Sequence, residues 1–371
     1  MATVNETLAD EAVAHAVDLA QYSAGVLRRM VALLNQVDSD LAAALADALE
    51  RLPADSFTVV RLEQLLGSVR DLNAQAYAAV SRALETELQA LAEYEAGYQL
   101  SLFGEVIPEP VQVRFPIASI SPAQVYAAAM SRPFQGRLLR EWASQIEEGR
   151  MAKIREAVRV GYLEGKTSSE IVRDIRGTRA EKYADGILQR PRRDLMAVVQ
   201  TAIGHTAAVA REQFVEANQD IIKAERWVST LDNRTSAQCR IRDRLQYEPK
   251  THKPIGHKIP WLAGPGRLHF NCRSTSTPVT KSWLELGIPI DEMSPGERAS
   301  MDGQVPAETT YSQWLQRQSA ARQDQVLGPE RGRLLRQGSL KLEDFYSQTG
   351  QWLTIEQLKS RDANAFARIA A

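Results

Sequence analysis

Apolar side chains recur three and four residues apart through most of the first hundred residues, and no other feature restricts this chain as much. Leu62, Leu65, Val69 and Leu72, then Val80, Leu84, Leu88 and Leu91, mark one stripe. An Ala-rich run that ends near Glu50 marks another, and Pro53 separates the two. Thr7 with Asp10 resembles a capping pair that opens the first helix. A helix with a single apolar stripe seals only against a partner helix or a neighbouring subunit. Residues 1–100 therefore predict a long α-hairpin, either an ordinary helical domain or an arm that self-associates through its helices. At about 1.5 Å per residue, some 35 residues make a rod of roughly 50 Å.

The 371 residues are 44% hydrophobic and 25% charged, enough apolar material for one large core or two to three smaller ones, which excludes disorder throughout. No run of 18 apolar residues is present, so neither a spanning helix nor a membrane partner is expected. Met1 to Glu6 lacks the basic region and apolar run of a secretory signal, which predicts a protein that stays in the cytoplasm where it is made. The net charge of −1 conceals an asymmetry. Met1 to Leu100 holds 15 acidic and 6 basic residues, a net of −9, whereas Arg226 to Ser282 holds 3 acidic and 11 basic, a net of +8. Such a chain either faces different partners with its two parts or carries ordinary drift between acidic helices and basic loops.

The order of elements predicts an α+β fold that is predominantly helical. After the hairpin of residues 1–100, residues 101–120 form an extended connector, because Val111, Val113 and Phe115 alternate with Gln112 and Arg114 behind Pro108-Glu109-Pro110. Residues 121–282 form a module of helices followed by a strand, a long loop and a strand. Ser121-Pro122 opens its first helix, a second runs from Leu138 to Glu164, Thr167 to Glu170 caps a third that Gly177 stops, and a fourth follows Arg190-Pro191. The strands are Arg226–Asp232 and Arg273–Val279, with some 40 residues rich in Pro, Gly, Lys and Arg between them. Residues 283–371 form a small helical tail.

A loop of that length inside a compact domain is functional or pinned, and its two roots carry the chemistry. Asp232 at a strand end can bond the amides of the next turn, and Arg234 and Arg273 can each fork onto a carboxylate to hold the roots together. Cys239, His269 and Cys272 supply two soft ligands and an imidazole, with His252 or His257 as a fourth, a set that tetrahedral zinc accepts. Both cysteines equally fit as small apolar residues packed under the loop, and then no cofactor is required. Neither thiol has the Gly-rich oxyanion signature of a catalytic cysteine. His252, His257, His269 and Asn271 share the composition of small metal-dependent nucleases. No second strand–helix unit with another His follows them, so no enzyme is expected. Arg240, Arg242, Arg244, Lys250, Lys253, Lys258 and Arg267 form a basic surface for non-specific phosphate contact with DNA or for an acidic protein surface. No recognition-helix spacing accompanies them.

The order of a strand, Asp-x-Arg-Thr, Cys, a basic Pro/Gly-rich loop and then His-x-x-Cys-Arg resembles the tailed-bacteriophage head morphogenesis family, the Mu-type minor head proteins. The matching residues are Trp227, Asp232, Arg234, Thr235, Cys239, His269, Asn271, Cys272 and Arg273. The resemblance covers roughly Leu138 to Val279, and Gly328 to Leu340 resembles tails of some members. Ser274, Gln238 and Arg240 stand where many members carry a further Cys or His, so the motif reads here as a loop closed by hydrogen bonds and ion pairs. The resemblance implies a minor capsid component located at the portal vertex or inside the capsid, with the portal protein and capsid or scaffold components as partners. Its expected roles are head assembly and DNA packaging or ejection, with packaged DNA as a further, non-specific partner. A DNA-binding ejection accessory is the alternative.

Overall fold

The protein is described by a computed structural model covering residues 3–51, 58, 62–64, 66–181, 183–288, 297–306 and 308–370. It is a predominantly helical α+β fold with a small antiparallel sheet. In chain order the helices are α1 (Val4–Glu50), α2 (Gly67–Val106), α3 (Glu109–Arg114), α4 (Pro122–Ser131), α5 (Leu139–Leu163), α6 (Ser168–Arg176) and α7 (Gln189–Ala217). The module follows with β1 (Ile222–Val228), the single turn α8 (Ala237–Arg240), β2 (Gln246–Tyr247), β3 (Pro254–Ile255) and β4 (Thr275–Thr280). The hairpin β5 (Glu297–Ser300) and β6 (Gly303–Pro306) leads into α9 (Tyr311–Gln316), α10 (Ala320–Leu327), α11 (Pro329–Arg336), a 3-10 turn (Leu342–Phe345), α12 (Ile355–Arg361) and α13 (Ala363–Ala370).

Two local expectations are corrected. The first helix opens four residues early, because Thr3 and Glu6 form the reciprocal cap expected of Thr7 and Asp10: Thr3 N–H donates to the Glu6 carboxylate at 2.8 Å, and Glu6 N–H donates to Thr3 Oγ1 at 3.2 Å. Residues 109–114 are helical rather than extended. Pro110 and Glu109 suit a first helical turn, and only Val111 is buried there, whereas Val113 is 77% exposed. The break expected at Pro53 lies outside the described residues.

The chain divides into two compact units. One comprises residues 20–91 and 126–203. Its core gathers Leu41, Leu45 and Leu49 of α1, Leu62, Leu66 and Val69, Met151, Ile154 and Val158 of α5, and Ile171 and Ile175 of α6. The buried Arg150 and the half-buried Arg192 share the carboxylate of Asp38, an arrangement that is costly to break because losing Arg150 or Asp38 would strand a charge in the interior. The other unit comprises residues 1–19, 92–125 and 204–371. Here Leu8, Phe103, Ile107 and Val111 pack with Phe214, Val215, Ile221, Ile222 and Trp283. The sheet order is β3-β2-β1-β4, with Trp227 opposite Ser276 and Arg226 opposite Thr277. All six residues of β4 are buried. A separate core under the tail helices holds Tyr311, Trp314, Leu334, Phe345, Tyr346 and Leu358.

Candidate functional site

The strand expected at Arg226–Asp232 is shifted four residues towards the N-terminus: β1 runs from Ile222 to Val228 because its pairing with β4 begins at Ile222 opposite Thr280 and ends at Val228 opposite Thr275, and that pairing brings the two roots of the long loop side by side. Asp232 accepts two parallel hydrogen bonds from Arg273, at 2.6 and 2.8 Å, across 41 residues of chain. The same carboxylate takes Arg234 N–H at 2.9 Å and Thr235 Oγ1 at 3.1 Å, and Thr235 also donates to Thr230 O at 2.5 Å. Arg234 does not fork across the roots. Arg273 fills both carboxylate oxygens, so the Arg234 side chain stands 77% exposed with its Nε 3.8 Å away, and what it contributes is its backbone N–H. Burial pushes the Asp232 carboxyl up, but the Arg273 guanidinium and the hydrogen bonds from Arg234 and Thr235 outweigh it, leaving the group below the usual carboxylate value. Trp227, fully buried on β1, stands edge-on to Trp261 at 5.3 Å over Tyr247, Cys239 and Leu268.

Ser236 caps the turn that carries Cys239. Asn271 sits at φ 58°, a left-handed conformation that Asn tolerates better than most residues, and Cys272 N–H returns to His269 O at 3.2 Å. That tight bend turns His269 and Cys272 toward one point. Cys239 Sγ lies 3.7 Å from Cys272 Sγ and 3.5 Å from His269 Nε2, while His269 Nδ1 lies 2.9 Å from Phe270 O. The Cys272 hydrogen bond and burial push the Cys239 thiol up. Hydrogen bonds from Cys239 and His269 pull Cys272 down, and Cys272 in turn raises His269.

His257 does not join this group. Its Nε2 bonds Gln246 O at 2.9 Å and its Nδ1 accepts Ile259 N–H at 3.2 Å, so both ring nitrogens are committed. His252 is elsewhere again, stacked flat on Trp261 at 4.6 Å, with Nε2 3.5 Å from Glu225 Oε2 and 3.9 Å from Glu212 Oε1. His252, His257 and His269 thus occupy three separate settings.

The basic residues divide sharply. Arg240, Arg242 and Arg267 point inward, against the expectation that they face a ligand. Arg240 donates to Val326 O at 2.8 Å and lies over the Trp352 ring, 5.3 Å from its centroid. Arg242, 1% exposed, donates to Pro260 O and Gln238 O and lies over Trp227. Arg267 pairs with Glu212. Arg244 is half-buried and bonded to Glu308 at 3.2 Å. Lys250, Lys253 and Lys258 are exposed, although Lys250 pairs with Glu216 at 2.7 Å.

Sequence reasoning missed the acidic groups that hold this loop. Glu212 on α7 and Glu225 on β1 are buried, and Glu225 accepts the Ser276 hydroxyl. Asp243 receives Ser229 N–H at 2.8 Å and Tyr311 N–H at 2.9 Å, while Tyr311 Oη donates to Asp232 O at 2.8 Å. The single available signal was Arg211-Glu212 interrupting the apolar run Ala207 to Val215. Comparison of the chain with protein-family models, curated proteins and solved structures finds no significant match.

Proposed function

We propose that this chain is a minor capsid protein of a tailed phage, an assembly component that docks on the portal through the loop between β1 and β4. The observation that carries the reading is the Asp232–Arg273 fork, which closes both roots of a long excursion on a two-strand base. A surface held in one shape before contact loses less entropy on binding, which suits docking. The inward arginines serve the same end by fastening the loop to the body behind it.

A protein surface suits the exposed side better than DNA does. Non-specific DNA affinity rests on the number of phosphates neutralised, and only Lys250, Lys253 and Lys258 of the seven candidates remain exposed. Ile255, 41% exposed, and Leu262, 56% exposed, stand on the same loop, where a protein partner can cover them. Capsid and scaffold components are the further partners of this reading, and its place is the virion. Among the described residues, no helix is long and apolar enough to cross a membrane.

Co-expression with the portal protein of the same phage tests it. The chain is expected to co-sediment with portal oligomers, and Lys253→Glu combined with Lys258→Glu to weaken that association. A chain missing from both portal fractions and purified heads overturns the proposal. Salt-sensitive binding to duplex DNA without portal association replaces it with the ejection-accessory role.

A further inference from the structure

The group formed by Cys239, His269 and Cys272 is independent of portal docking and has a geometry of its own. Zinc holds sulfur at about 2.3 Å and imidazole nitrogen at about 2.0–2.1 Å, so tetrahedral angles set two sulfurs about 3.8 Å apart and sulfur and nitrogen about 3.6 Å apart. The corresponding separations here are 3.7 Å for the sulfurs and 3.5 Å for Cys239 Sγ and His269 Nε2. All three donor atoms lie within 4.8 Å of one another. The imidazole is also oriented as a metal ligand's would be, because Nδ1 faces the Phe270 carbonyl and leaves Nε2 for the cluster. Thiolate and imidazole donors favour zinc over magnesium or calcium, which prefer oxygen.

Among the described residues, no fourth Cys, His, Asp or Glu completes the set. His257 and His252 are engaged elsewhere, and the Asp232 carboxylate is filled by Arg273. The position two residues after Cys272 is Ser274, a weak donor for zinc. Cys239 is buried, but His269 and Cys272 are only half-buried, so the cluster has a side that solvent can reach. We infer that Cys239, His269 and Cys272 bind one zinc ion through two sulfurs and Nε2, and that its fourth position is open to solvent. The ion fastens α8 to the bend that carries Cys272, beside the Asp232–Arg273 fork.

Metal analysis of the full-length protein, saturated with zinc and then dialysed, is expected to return one zinc per chain. Cobalt substitution is expected to give the sulfur-to-metal charge-transfer absorption of a two-thiolate centre, and added imidazole to shift the visible cobalt bands by occupying the open position. His269→Gln, at the half-exposed rim, is expected to lose stoichiometric metal while keeping its far-UV circular dichroism, and His257→Gln to retain metal. Zinc far below one per chain in the wild-type protein overturns the site. Full retention in His269→Gln overturns the ligand set, and cobalt bands indifferent to imidazole overturn the open position.

Discussion

Asp232 is the residue on which the loop closure turns, and its ionisation makes the closure measurable. Its folded value lies below the ordinary 3.8, so its contribution is complete above the unfolded value and disappears as pH falls through the lower, folded one. Removing one partner of a buried ion pair costs several kcal/mol, but Arg273 is 31% exposed, which reduces the cost. Asp232→Asn should therefore destabilise the protein by about 2 kcal/mol at pH 7. The difference in Tm between wild type and Asp232→Asn is expected to shrink as pH drops below about 4. A constant difference would mean that the carboxylate charge contributes nothing. The residue types at this site were legible because strand-end Asp, forked Arg and the Cys/His set each have a narrow range of uses. The direction of the arginines was not. Arg240 and Arg242 turn inward because Trp352 and Trp227 offer ring faces and Val326, Pro260 and Gln238 offer carbonyls, and most of those partners belong to other segments. Glu212 and Glu225 escaped notice for the same reason.

At the scale of elements, the hairpin of β2 and β3 cannot stand by its own pairing. Each strand is two residues long, and two-stranded hairpins are marginal even when longer. Its connection also holds Lys250 at φ 65° and His252 at φ 51°, conformations that oppose any side chain with a Cβ. Anchors to the body compensate: Lys250 pairs with Glu216, and His252 lies on Trp261 facing Glu225 and Glu212. Burial lowers the His252 pKa, but the two glutamates raise it more, so the net shift is upward from 6.5. The stabilisation is thus fully present below the unfolded value of 6.5 and is lost as pH rises through the folded one. His252→Gln should cost about 1 kcal/mol near pH 6, with the Tm difference from wild type narrowing as the solution becomes alkaline. A difference that grows with pH would contradict this anchor. Short strands of this kind have no period to read, whereas β4 and the capped helices α5 and α6 follow their sequence signals closely, and β1 is offset from its signal by four residues. The turn at α3 was misread because three alternating residues cannot distinguish a strand from a helix with one buried side chain.

For the whole molecule, the charge asymmetry along the chain is redistributed by the fold. The unit that carries the sheet contains 27 acidic and 24 basic residues, and the other contains 19 and 21, nets of −3 and +2. Glu6, Asp10, Glu11 and Asp18 belong to the same unit as the basic loop, so opposite signs far apart in sequence do not require two different partners. The apolar periodicity of α1 and α2 states which face is buried but not which neighbour covers it, and residues from both helices contribute to both units. The inward arginines have a further consequence, for digestion. Trypsin needs a basic side chain on backbone that can be drawn out locally, and Arg240, Arg242 and Arg267 are each less than a tenth exposed. Between Trp227 and Cys272 the native protein should be nicked first after Arg234, Lys250 or Lys258, whose side chains are exposed. Lys253 is shielded by the proline that follows it. Peptide mapping that finds early cuts after Arg240, Arg242 or Arg267 would show the loop to be slack, but a loop that survives as one fragment, apart from nicks at the exposed Arg234, Lys250 and Lys258, would keep its shape under attack.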